Sequence, residues 1–324
     1  MELDTLKRKL HCEWPLAYAE VTYSSIYAVS LKEHLVSTAH LIDELFSERL
    51  DYLEEKYRSA KNCIGSIKEI AYLAGLLHDL GKASVYYLDR SIKEAAKGIN
   101  RGKPREKYLE VKLGFKYHEY VAPILIVHTL HNDLSSQAKD PGEVRKMKNT
   151  YYTLSRIIAR HHAAMTGRHP TELLGSRKKA KMLVNVLKGL CDERSKAVDL
   201  LHELKMECRS EFCKEFLEKI SNNLQIACTK QLQAILNLSG LHLKATTTFE
   251  LNKCGEINEY DSYRIVSTLA GYLIVADNLV ATYCERRTSD DRLTPAYVKI
   301  WERELKSKLI GLKDEYLAVS CCWP

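Results

Sequence analysis

An adjacent histidine and aspartate, His78 and Asp79, close the apolar run Ala71-Tyr72-Leu73-Ala74-Gly75-Leu76-Leu77, and Gly81 and Lys82 follow at once. Imidazole and carboxylate side by side can hold a metal ion. A glycine that ends the helix and a lysine just beyond it suit an anionic substrate. Further along lie His118 in an apolar stretch, the doublet His161-His162, and Asp277 within Leu273-Ile274-Val275-Ala276-Asp277-Asn278-Leu279-Val280. These residue types together can form a compact binuclear metal site.

Consecutive residues of a helix diverge by about 100°. His78 and Asp79 then point to neighbouring sides, so Asp79 can bridge two cations while His78 binds one. The same geometry lets His161 and His162 face one pocket from a helix end. A carboxylate between two metal ions about 3.5–4 Å apart is a standard arrangement for in-line phosphoester hydrolysis. One ion generates hydroxide from water and the other stabilises the leaving oxygen. Imidazole-rich sites favour Mn, Fe, Co, Ni or Zn over Mg.

Each residue also has a plainer reading. A carboxylate among apolar residues, such as Asp277, is costly unless a cation or hydrogen bonds compensate it. The alternative is a buried acid that caps a neighbouring helix. Asp192 and Asp199 lie closer in sequence to the doublet, but in charged surroundings. His118 alone reads as a satisfied core histidine, and His34 shares its helix with His40. The stretch His78 to Lys82 can be a helix C-terminus with a cationic cap. Arg160 and Arg168 flank the doublet and can contact phosphate, although surface arginine is the simpler reading. His169 follows closely enough to line the same pocket. His128 and His131 point away when stepped from His118 along one helix. His11, His202 and His242 have no partner chemistry.

The elements that must position these groups are helical. Only 7 Pro and 14 Gly occur in 324 residues, 45% of the chain is apolar, and strand-type alternation is scarce. An all-α bundle follows. The pattern predicts helices over about 30–58, 67–80, 83–97, 107–131 (kinked at Pro123), 143–165, 261–284 and from 295 to about 313. Ser30 and Glu33 form a capping-box pair at the start of the first of these. The charged stretch 175–245 reads as a helical insertion, and 245–260 as a loop. One domain over 1–284, with its insert at about 175–260, is then followed by a C-terminal helix within 285–324.

The ten cysteines include no C-x-x-C pair, which leaves a zinc ribbon unsupported. They read as reduced, buried, small apolar residues. The N-terminus lacks a secretory h-region. The apolar stretches near 121–127 and 269–281 are too short or too polar to span a bilayer. A soluble, cytoplasmic protein with no membrane partner is expected. The net charge of +7 is compatible with an anionic partner. The basic clusters at 97–107, 177–181 and 286–287 carry no interleaved aromatic residues of the kind that stack bases.

The ordered set His34, His78-Asp79, Lys82, His118, His161-His162 and Asp277 resembles the HD superfamily of metal-dependent phosphohydrolases. Within that superfamily it is similar to the HD nuclease of type I CRISPR interference systems, in particular the stand-alone archaeal form encoded apart from its helicase. The resemblance covers about 30–170 and 265–284. It implies an HD-domain helical bundle. His34, His78, Asp79 and Asp277 would hold one metal ion; Asp79, His118, His161 and His162 would hold a second. Lys82 would contact the scissile phosphate. Two divalent ions (Mn, Ni, Co or Fe, with Mg as a further option) would serve cleavage of single-stranded DNA. A separate CRISPR helicase and a crRNA-guided surveillance complex would be the partners. The chain has no G-x-x-x-x-G-K-[ST] loop of its own. A second expectation is hydrolysis of nucleotides or cyclic dinucleotides, although Ala163 to Pro170 lacks the Gly-Tyr-Pro signature of the cyclic-dinucleotide members. A third is a non-catalytic interaction subunit that keeps the scaffold.

Overall fold

Two helices with opposite surface patterns set up the core. The computed structural model describes residues 3–21, 26–99, 111–136, 140–162, 177–228 and 258–284. After α1 (Leu3–Cys12), β1 (Leu16–Val21) and β2 (Ile26–Ser30) comes the long helix α2 (Leu31–Lys56). It buries Leu31, Leu35, Thr38, Ile42, Leu45 and Phe46, an amphipathic stripe at helical spacing. A short α3 (Ala60–Ile64) leads into α4 (Ile67–Leu77), which is apolar nearly all round and lies at the centre. Ser66 accepts a hydrogen bond from the Glu69 amide and so caps α4. Ser66 also donates to Glu54 Oε1 at 2.5 Å.

The path from α2 to α4 depends on a glycine. A Cβ on Gly75 would lie 2.6 Å from Ala39 Cα, so these two helices touch through their backbones. Beyond α4 the chain makes a 3-10 turn, Leu80–Ala83, and α5 (Tyr86–Ile99). Next come β3 (Val111–Lys112), a second 3-10 turn (His118–Tyr120), α6 (Val121–Ser136) and α7 (Pro141–Arg160). Three further helices follow: α8 (Arg177–Asp192), α9 (Arg194–Met206) and α10 (Glu211–Ile226). The last described helix, α11 (Glu259–Cys284), packs on α2, α4 and α7. The architecture is an all-α helical bundle.

Several expectations are corrected. The N-terminal region forms a small antiparallel sheet of order β2-β1-β3. Its register shifts between Leu16 and Tyr18, so Leu16 and Ala17 are both buried and the alternation that marks a strand is lost. Ser30 does precede α2, but its side chain makes no capping hydrogen bond. Pro123 kinks nothing. It lies in the first turn of α6, where no intrahelical bond is lost. Nor is 107–131 one helix, because the chain from Leu113 to Tyr117 is irregular.

The cysteines also depart from the reduced reading. Cys191–Cys228 and Cys208–Cys213 are disulfides, and Cys63 is disulfide-bonded as well. The link between α9 and α10 is short enough to bring Cys208 and Cys213 to a Cα separation of 5.7 Å. Cys12 is free and exposed. Residues 259–282 are long and apolar enough to cross a membrane, contrary to the shorter estimate from sequence. More than half of that window is buried against the bundle, as in a core helix. Of the predicted loop at 245–260, residues 245–257 lie outside the described residues and Glu259 already begins α11; the linker after 284, the C-terminal helix, residues 100–107 of the basic cluster at 97–107, and the cluster at 286–287 also lie outside them.

Gly75→Ala is expected to lower the free energy of unfolding by about 1–3 kcal/mol, because the new methyl meets backbone that cannot rotate aside. A urea titration checks this; an unchanged midpoint would mean that α2 and α4 can separate freely.

Candidate metal centre

Five stretches of chain deliver seven side chains to one place. His34 comes from the first turns of α2, and His78 is the residue that ends α4. Asp79 begins the 3-10 turn after it. His118 opens the second 3-10 turn, directly after Tyr117, which has a left-handed φ of 67°. His161 and His162 follow the last turn of α7, and Asp277 projects from α11. His34, His78, Asp79, His118, His161 and Asp277 are all buried.

The close approach of His118 to the turn after Asp79 explains Gly81. A Cβ there would stand 2.8 Å from His118 Cα. Its role is space for a passing backbone rather than termination of α4. From the other side, α8 holds the same segment. Ser84 Oγ donates to the Val186 carbonyl at 2.6 Å, and the Val85 amide donates to Gly189 O at 3.3 Å.

The two carboxylate oxygens of Asp79 serve different neighbours. Oδ2 lies 3.1 Å from His34 Nε2, 3.5 Å from His78 Nε2 and 2.7 Å from Lys82 Nζ. Oδ1 lies 2.7 Å from His118 Nε2 and 3.4 Å from His161 Nε2. Asp277 Oδ1 closes the first group at 3.3 Å from His34 Nε2 and 3.5 Å from His78 Nε2. His162 closes the second, with its Nε2 3.2 Å from His118 Nε2. Two overlapping sets result: His34, His78, Asp79, Asp277 and Asp79, His118, His161, His162. Within each, the possible ligand atoms lie within 4.8 Å of one another.

The donor set fits a cation. His78 Nδ1 faces the Gly75 carbonyl at 2.9 Å, His118 Nδ1 faces Phe115 O at 2.6 Å, and His161 Nδ1 faces Ile158 O at 2.6 Å. A carbonyl only accepts, so each of these Nδ1 atoms carries the proton and donates it. In a neutral ring Nε2 is then a lone-pair acceptor. Three such acceptors point at carboxylate oxygens, which are acceptors too. Such atoms repel unless positive charge lies between them. Backbone carbonyls on the outer nitrogen are also how metal-ligating histidines are commonly oriented. These buried His/Asp clusters can hold a metal ion.

The electrostatics express the same crowding. Burial pushes the Asp79 carboxyl up, but Lys82, His78 and His118 outweigh it and hold it well below the usual carboxylate range. Burial likewise pushes Asp277 up, but the His34 and His78 imidazoles beside it outweigh this and hold it well below. Burial depresses His78. Burial, with His161 and His118 nearby, pushes His162 well down. His161 runs the other way: burial is outweighed by Asp79 and Asp277, and it is raised.

The remaining sequence candidates separate clearly. Lys82 is buried beside Asp79, with its Nζ 5.2 Å from the Phe115 ring centroid. Arg160 turns to α11 instead, where its Nη1 donates to Ser267 Oγ at 3.2 Å. Arg168, His169 and His242 lie outside the described residues. His40 packs against Tyr72, His128 faces Asn132, and His131 is exposed on α6. Asp192 and Asp199 are exposed, so Asp277 is the acid that joins the cluster. Sequence reasoning overlooked Glu119, a fully buried acid whose Oε2 lies 3.6 Å from His118 Nδ1. Its signal was available: a carboxylate directly beside His118 at the head of an apolar run.

Compared with family models, curated proteins and solved structures, the chain matches none.

Added Mn²⁺, Ni²⁺ or Co²⁺ is expected to raise the melting temperature of chelator-stripped protein, since a ligand that binds only the folded state stabilises it. Asp79→Asn should abolish the rise, because Asp79 belongs to both sets; an equal rise in the variant would place the ions elsewhere. The metal-free protein should also lose stability as pH falls from about 7 to 5. His78 and His162 are depressed below the ordinary value of 6.5, so the unfolded chain takes up their protons first. His161 is raised, so its contribution is complete below 6.5 and lost at higher pH, which opposes the trend by one group. The stabilisation from Asp79 and Asp277 persists above 3.8 and does not vary in this window. Melting curves across the range check the sign.

Proposed function

We propose that this chain is a metal-dependent phosphodiester hydrolase that cuts single-stranded DNA. The observation that carries the reading is the two-sided use of Asp79, with one oxygen facing each His/Asp set. His34, His78, Asp79 and Asp277 would hold one divalent transition-metal ion, and Asp79, His118, His161 and His162 a second. Bound there, such ions supply an acidified water and offset the charge that develops on a phosphoester.

The chain's own residues account for the rest. Asp79 fixes the spacing between the two sets from the rigid turn that Gly81 permits. Asp277 and Asp79 balance the cationic charge, which lets a nearly dry pocket hold it. The carbonyls of Gly75, Phe115 and Ile158 keep the three Nε2 lone pairs aimed inward. Lys82 reaches Asp79 from the rim of the cluster and supplies a positive charge for a phosphate oxygen. The net charge of +7 favours a polyanionic substrate. A separate helicase would deliver the strand, working with a crRNA-guided surveillance complex in the cytoplasm.

The depth of the cluster favours one alternative, a small phosphoester such as a nucleotide or cyclic dinucleotide. Circular single-stranded DNA separates the two. With Mn²⁺ the circle should be linearised and degraded, with no cutting in EDTA and a loss of at least about a hundredfold in Asp79→Asn. Hydrolysis of nucleotides, with circular and linear strands both untouched under Mn, Ni, Co and Mg, would transfer the site to the small-molecule reading.

A further inference from the structure

The N-terminal half of α11 carries two exposed aromatic rings, each paired with an arginine. Tyr260 and Tyr263 are 60% and 48% exposed. The Arg264 guanidinium lies 4.5 Å from the Tyr260 ring centroid, and that of Arg160 lies 5.6 Å from the Tyr263 centroid. Large apolar side chains at a surface, in contact with guanidinium groups, are what single-strand binders use to stack bases. No basic cluster in the sequence has this pattern, because Arg160 and Tyr263 are far apart in the chain and meet only when α7 packs on α11.

The position of the pair matters as much as its chemistry. Arg160 immediately precedes His161, and α11 is the helix that presents Asp277. At about 100° per residue, Tyr263 lies within about 40° of the Asp277 side of the helix. It is about 21 Å further along, at about 1.5 Å per residue. The platform therefore sits on the helix that carries Asp277 and beside the one that leads into His161; Tyr263 faces nearly the Asp277 side, and Tyr260 lies about 60° further round. Glu259 and Asp261 sit in the first turn of α11 beside it. Their charge disfavours phosphate there, so recognition at this patch is by ring stacking more than by neutralisation of the backbone.

We infer that Tyr260 and Tyr263, backed by Arg264 and Arg160, form a stacking platform for the bases of a single strand whose backbone continues to the His/Asp cluster. The inference rests on the nuclease reading for its substrate class. Its test reads binding alone, so each can fail without the other.

The experiment is fluorescence anisotropy of a labelled fifteen-nucleotide thymidine strand on full-length Asp79→Asn protein in EDTA. Tyr260→Ala and Tyr263→Ala should each weaken binding about tenfold, the scale of one lost base–aromatic stack. Phenylalanine at either position should restore it. Tyr52→Ala is the control, since Tyr52 is an equally exposed tyrosine with a lysine over its ring on another helix. A strand of the same length with abasic sites should bind the unsubstituted platform about as weakly as the alanine variants bind thymidine. Equal affinity for the alanine variants and their parent overturns the platform, as does equal affinity for abasic and thymidine strands. No detectable strand binding overturns it too, and metal-dependent hydrolysis of bis(p-nitrophenyl) phosphate by the unsubstituted chain would leave the hydrolase reading intact.

Discussion

Acceptor atoms crowded around Asp79 are the constraint to which the rest of the structure answers. Carboxylate oxygens and imidazole lone pairs face each other across 2.7–3.5 Å in a region with almost no solvent. Left to itself, such a cluster would relax by turning its side chains away. It is held because three of its five rings are gripped from behind. His78, His118 and His161 each donate to the carbonyl three residues earlier, so turning would break a buried hydrogen bond. The cost of this arrangement is carried by the helices that supply those carbonyls, and a cation in the middle would convert repulsion into attraction.

That grip requires backbones to pass unusually close. Gly75 lets α4 lie against α2, and Gly81 lets the turn after Asp79 touch His118. Gly189 performs the third such service. A Cβ there would meet Ser84 Oγ and the Tyr86 amide, so α8 presses directly on the segment just beyond Lys82. Two residues after Gly189, Cys191 is tied to Cys228 beyond the end of α10. Helices α8 to α10 are thus part of the support for the Asp79 turn. Their core residues Leu187, Leu190 and Leu201 belong to the same apolar core as Leu35 and Leu73.

What could be read in advance divides along physical lines. Residue chemistry was legible: a histidine next to an aspartate, a histidine doublet, and an acid in an apolar run are costly choices that folding alone does not explain. The long helices were legible, and the bounds of α2 and α11 lie within two residues of those expected from sequence. Conformation at single residues was not. Nothing local in Phe115-Lys116-Tyr117-His118 announces that Tyr117 adopts a left-handed φ, so the helical pattern runs straight through it. His118 therefore shares no continuous helix with His128 and His131, and stepping from one to the others has no structural basis. The Ser30 cap failed and the Ser66 cap went unnoticed for a related reason: both stretches have the S-x-x-E spacing, and only geometry decides which serine turns inward.

Helix α11 shows how one element can carry conflicting signals and still have a single explanation. By length and composition it qualifies as a membrane span. Its buried face includes Asp277 at the point where His34 and His78 converge. Near its other end the same helix turns tyrosines to solvent and draws Arg160 across from α7. High apolarity is needed because α2, α4 and α7 enclose the middle of the helix. A chemical gradient along one rod, from exposed rings to buried carboxylate, joins an exposed surface to an enclosed centre.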